Sequence, residues 1–90
     1  MQGNGDPAKQ TLEIDYPTRW VYKVIGGDRR QIEEAVRASV GEREHRLRTT
    51  RRSSSGRYVS LTVEVVVESE ESRVGIFESL RRHEAVELVL

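Results

Sequence analysis

Residues 57–68 read Arg-Tyr-Val-Ser-Leu-Thr-Val-Glu-Val-Val-Val-Glu, and along them apolar and polar side chains alternate. Val59, Leu61, Val63, Val65 and Val67 share one side of a period of two. Tyr58, Ser60, Thr62, Glu64 and Glu68 share the other, where Val66 is the one apolar intruder. That alternation predicts a long strand with one buried and one wet face. A helix is disfavoured, because β-branched side chains lose χ1 freedom there. Burying the five inward residues contributes roughly 8–15 kcal/mol gross, at about 1.5–3 each, as an upper bound. No other segment supplies as much, so the remaining elements are read outward from this one.

On its N-terminal side lies His45–Ser53, joined to it through Ser54-Ser55-Gly56. A two-residue loop would set Arg46 and Arg48 on the buried face, where unpaired cations are not tolerated. A three-residue loop with Gly56 in the left-handed region places Leu47 opposite Val63 and Thr49 opposite Leu61. It also sets Arg46 across from Glu64, and Arg52 beside Tyr58. That register is preferred. The arginines also suit a sheet edge, since charge discourages pairing with other chains.

Further out, Arg19–Ile25 predicts a strand ended by Gly26-Gly27, with Trp20, Tyr22 and Val24 inward because Lys23 is costly to bury. Asp28 then has the character of a helix N-cap, with Gln31 at capping-box spacing. Ile32, Ala35, Val36 and Val40 follow at helical spacing, and Gly41 occupies the C-terminal glycine position. On the other side, Ser69–His83 predicts a second helix capped by Ser69. Its apolar stripe is Val74, Ile76, Phe77 and Leu80, interrupted by Gly75. Ala85–Leu90 closes the series as a short strand, with Val86, Leu88 and Leu90 inward.

The order is strand, helix, strand, strand, helix, strand. This predicts an α+β, ferredoxin-like βαββαβ domain: a four-stranded antiparallel sheet of order 4-1-3-2 with two helices on one face. Residues 12–90 form that single domain. Residues 1–11, with two glycines, a proline and almost no apolar side chains, are expected to be a flexible tail.

Composition narrows the function classes. The chain has 90 residues, 33% of them charged, and Lys+Arg and Asp+Glu are both 15, so no net charge draws it toward nucleic acid or membrane. With no cysteine there is no disulfide framework, thiolate nucleophile or thiolate-held metal. No apolar run is long enough to span a membrane and no secretory leader is evident, so a cytoplasmic location is expected. His45 and His83 are far apart and lack catalytic motif neighbours, so no enzyme activity, metal or cofactor is expected.

Two surfaces remain. Gly26, Gly27 and Asp28 join a strand to a helix N-terminus, where free N–H groups receive anions, and Lys23 lies close by in sequence. Arg43, Arg46, Arg48, Arg51, Arg52 and Arg57 crowd into fifteen residues. Arg46, Arg48, Arg51, Arg52, Arg57 and Tyr58 therefore make a candidate interaction surface, against the plainer reading of a protected edge. RNA recognition by base stacking is disfavoured, because Ser60 and Thr62 stand where rings are needed.

Three stretches resemble the YbeD-like family of small, uncharacterised bacterial proteins. They are Ile14-Asp15-Tyr16-Pro17-Thr18-Arg19-Trp20-Val21-Tyr22-Lys23-Val24-Ile25-Gly26, then Ser53-Ser54-Ser55-Gly56-Arg57-Tyr58-Val59-Ser60, and the final Val86-Glu87-Leu88-Val89-Leu90. The resemblance implies an ACT-like fold and brings no catalytic residues with it. ACT-like domains bind small effectors near the first strand–helix turn and pair side by side.

The expectation is thus a non-catalytic regulatory or interaction module that binds a small effector or a protein partner. The alternative is a phosphate-backbone nucleic-acid binder using the arginine edge. A homodimer would pair through the last strand, with Val89 outward.

Overall fold

The valine-rich stretch is a central strand, flanked by a strand on either side. The computed structural model describes residues 14–52 and 56–90, and the side chains of residues 50–52 lie outside that description. Its elements are β1 (Thr18–Gly26), α1 (Arg29–Val40), β2 (His45–Arg52), β3 (Val59–Val67), α2 (Glu70–Arg82) and β4 (Val86–Val89). The sheet order is β2-β3-β1-β4 and every pairing is antiparallel. This is the ferredoxin-like order expected from the sequence, read from the opposite edge. The expected tail at 1–11 and the loop residues Ser53–Ser55 lie outside the described residues.

The core forms where the inward row of β3 meets the helices. Val63, Val67, Val24, Ile32, Val36, Val40 and Leu80 are fully buried, with Tyr22 and Ile76 almost so. In β1 the aromatic row points inward and Lys23 is exposed, as the cost of burying an amine requires. Both helices are capped as their sequences dictate. Asp28 Oδ1 accepts from the Gln31 N–H at 3.0 Å, and Ser69 Oγ accepts from the Ser72 N–H at 3.1 Å. Gly41, at φ 66°, ends α1 and donates its N–H to the Arg37 carbonyl at 3.0 Å. No helix among the described residues is long and apolar enough to cross a membrane.

Four placements depart from expectation. Strand β4 turns Val89 inward and leaves Leu88 and Leu90 exposed, the reverse of the alternation read from Val86. A register shift between Ile25 and Gly26 places an extra residue in β4, so Val86 and Val89 both reach the helix side. In the β2–β3 hairpin Leu47 opposes Val63, Arg46 opposes Glu64 and Gly56 has φ 72°, all as read. Beyond Thr49 a second shift sets Arg52 opposite Val59 rather than beside Tyr58.

Thr62, assigned to the wet face, is only 6% exposed. It sits on a central strand between Arg48 and Lys23, whose long stems take a short neighbour out of water. Val74 is exposed because it stands two residues before Ile76, about 200° round the helix. It therefore flanks Phe77 at the helix border instead of entering the core.

Candidate binding surfaces

With both helices on one side, the other face of the sheet carries rows set by register. Lys23, Thr62 and Arg48 form one row, and Val21, Glu64 and Arg46 form the next. The structure therefore joins Lys23 to Arg46 and Arg48. Part of this charge is answered, since Arg19 reaches Glu64 at 3.7 Å and Glu44 at 3.9 Å. Among the described residues Arg19, Lys23, Arg46 and Arg48 still outnumber Glu64 and Glu44 here, so the face is predominantly cationic. Its β4 side is apolar, with Val21, Leu88 and Leu90 all exposed.

Of the other cluster residues, Arg51 and Arg52 continue along β2 opposite Ser60 and Val59. The Arg57 carbonyl lies 3.8 Å from where a Cβ on Gly27 would stand. Tyr58 is exposed just before β3, and the side chains of Arg51 and Arg52 lie outside the described residues.

Arg43 has a different task. Its Nε and Nη2 donate to the two carboxylate oxygens of Glu68 at 3.1 and 2.9 Å, and its Nη1 donates to the Val40 carbonyl at 3.1 Å. The Ser72 hydroxyl donates to the same carboxylate at 2.6 Å. Together these bonds hold Glu68 at about 2, the arginine being the larger cause. The end of α1, the end of β3 and the start of α2 are thereby bolted together.

The Gly26–Asp28 turn is shaped by packing and capping. A Cβ on Gly26 would collide with the Ala85 carbonyl oxygen and press on Ile32 at 3.0 Å. Asp28 is engaged as the α1 cap. Lys23 stands three residues up the strand, about 10 Å away. The lysine lies on the helix-free face and the turn at the end of the strand. His45 and His83 are held by local backbone: Nδ1 of His45 lies 2.9 Å from the Arg43 carbonyl, and Nδ1 of His83 accepts from the Ala85 N–H at 3.2 Å.

A cleft of about 330 Å³ opens between β1 and α2, lined by Trp20, Val21, Tyr22, Arg73, Val74, Phe77 and Leu90. The Arg73 guanidinium lies 4.6 Å from the centre of the Trp20 ring, and its Nε donates to the Tyr16 hydroxyl at 3.2 Å. The Tyr22 hydroxyl donates to the Arg73 carbonyl at 2.6 Å, and burial pushes its pKa up to about 12. Sequence reasoning missed this site. The available signal was the even spacing of Tyr16, Trp20 and Tyr22, which puts three rings on one side of a strand and its approach. Nothing in the chain's order showed that Arg73 would reach them.

The architecture is a ferredoxin-like, ACT-like fold. The family "Protein of unknown function (DUF493)" matches residues 11–90, and the chain belongs to it. YbeD is a member of the same family, so the resemblance carried by Ile14–Gly26 holds. Among relatives, the uncharacterized protein Cj0253 of Campylobacter jejuni is 36% identical over 73 residues, covering 81% of this chain and 84% of its own. A UPF0250 protein of Neisseria gonorrhoeae is 36% identical over 86 residues, covering 90% and 93%. The solution structure of HP0495 from H. pylori superposes with a TM-score of 0.79 at 24% identity, covering 99% of this chain and 98% of that one. The ACT domain of GTP pyrophosphokinase from Chlorobium tepidum gives a TM-score of 0.57 at 12% identity, covering 80% and 94%. These two structures establish the fold.

Proposed function

We propose that the chain is a non-catalytic regulatory module that binds an acidic protein partner through the helix-free face of its sheet. The observation that carries this is the row of Lys23, Thr62 and Arg48 beside Arg46, bordered by exposed Val21 and Leu88. A cationic field next to an apolar border gives both steering and buried area on association. The related fold of a GTP pyrophosphokinase domain supports a role as a module alongside other machinery. The test compares the chain with an Arg46→Glu, Arg48→Glu variant as bait in lysate of the source organism. A partner retained by the first and lost by the second, with unchanged thermal melts, is the expected result. Equal retention by both, or no retained protein, overturns it.

Self-pairing through β4 is a second use of the same border, supported by the exposed Leu88 and Leu90. Light scattering would show a dimer that Leu88→Asp converts to a monomer. A monomeric mass for the parent chain removes this reading.

A further inference from the structure

From the cleft between β1 and α2, we infer a binding site for an aromatic monocarboxylate. This goes beyond the reading of the sheet face, which rests on Lys23, Arg46 and Arg48; Val21 borders both surfaces. Among the described residues, three of the five exposed large hydrophobics, Val21, Val74 and Leu90, meet at this one place. Apolar side chains gathered at a concave spot mark a ligand surface far better than the same residues scattered. Rings dominate the walls: Trp20, Tyr22 and Phe77 line the cleft and Tyr16 stands behind Arg73, so four of the chain's five aromatic residues are gathered here. Such walls select a planar apolar body by offset stacking.

The charge in the cleft fixes the other end of the ligand. Among the described residues, Arg73 is the one ionised side chain lining it. Trp20 and the Tyr16 hydroxyl hold the guanidinium in place through its face and its Nε. Among the described residues it forms no ion pair, whereas Arg19, Arg29, Arg43 and Arg81 each have a carboxylate partner. Glu70 acts on it only at longer range. Among the described residues neither Nη group has a hydrogen-bond partner, and a guanidinium so positioned matches a carboxylate bidentately. A phosphate ester fits less well, because its second charge would have to be desolvated against apolar walls.

Trp20 is the only tryptophan, so its emission reports this cleft and nothing else. The experiment titrates the full chain with 3-phenylpropionate and, separately, with the neutral 3-phenylpropionamide. Arg73→Gln removes the charge. Val74→Glu adds a repelling carboxylate at an exposed border position, without touching the core. The expected result is a saturable change in Trp20 emission with the acid, weakened about tenfold or more by the amide and by each variant. Should Arg73→Gln fail to fold, the amide and Val74→Glu decide. No saturable response up to about 10 mM, or equal response to acid and amide, overturns the inference.

Discussion

Replacing Gly26 by alanine separates a glycine kept for packing from one kept for a ligand. Gly26 ends β1 opposite Val86, at the register shift that feeds β4. A new methyl there meets the Ala85 carbonyl oxygen, a backbone atom held by the turn into β4, and it presses on Ile32, which is itself fully buried. Neither neighbour is the loose tip of a side chain, so the strand or the helix must shift. Overpacking of this kind costs about 1–3 kcal/mol. In a domain this small each kcal/mol moves the melting temperature by about 4–8 °C.

Gly27 supplies the control. A Cβ there comes no closer than 3.8 Å to the Arg57 carbonyl, so Gly27→Ala should be neutral or stabilise by up to about 1 kcal/mol through the unfolded chain. Urea unfolding followed by circular dichroism, with unchanged m-values, measures both variants. The packing account is refuted if Gly26→Ala is as stable as the parent, or if Gly27→Ala costs as much.

Gly75 lies inside α2 with open space where a Cβ would go, so Gly75→Ala should stabilise by up to about 1 kcal/mol in the same assay. Val89→Ala should destabilise more than Leu88→Ala, because only Val89 is buried; the opposite ranking would restore the unshifted β4 register. Glu68 is about 2 when folded against 4.5 in its ordinary state. Its stabilisation is therefore complete above pH 4.5 and lost as pH falls through about 2. Arg43→Ala should flatten that acid limb in melts taken between these limits. Tyr22 is displaced upward, from 10.0 to about 12, so its contribution is complete below pH 10.0 and lost as pH rises towards 12; Tyr22→Phe should remove this alkaline loss.

The fold was legible because its main signals are local and periodic. The alternation in Val59–Val67, the caps Asp28 and Ser69, and the glycines at 41 and 56 each name an element or its end. What escaped were features set by pairing between distant segments. No periodicity within Ala85–Leu90 announces a bulge whose cause is the meeting of β4 with Gly26. Thr62 has a polar side chain on the helix-free face and is buried there between the long residues Lys23 and Arg48 of two other strands. Of the arginine cluster, Arg43 is drawn off to Glu68, twenty-five residues later. The cleft depends on Arg73 meeting rings more than fifty residues earlier, a contact that no local pattern encodes.

The central claim, a binding module acting through the helix-free sheet face, has a direct probe in the chain's lysines. There are two, Lys9 and Lys23, and Lys23 stands on that face. Amine-directed cross-linking in lysate, followed by mass spectrometry, therefore reads the surface at one known position. The account predicts partner peptides joined to Lys23 in the parent chain, absent from an Arg46→Glu, Arg48→Glu variant of equal stability. Cross-links confined to Lys9 and the amino terminus, or a Lys23 adduct indifferent to that charge reversal, would contradict it.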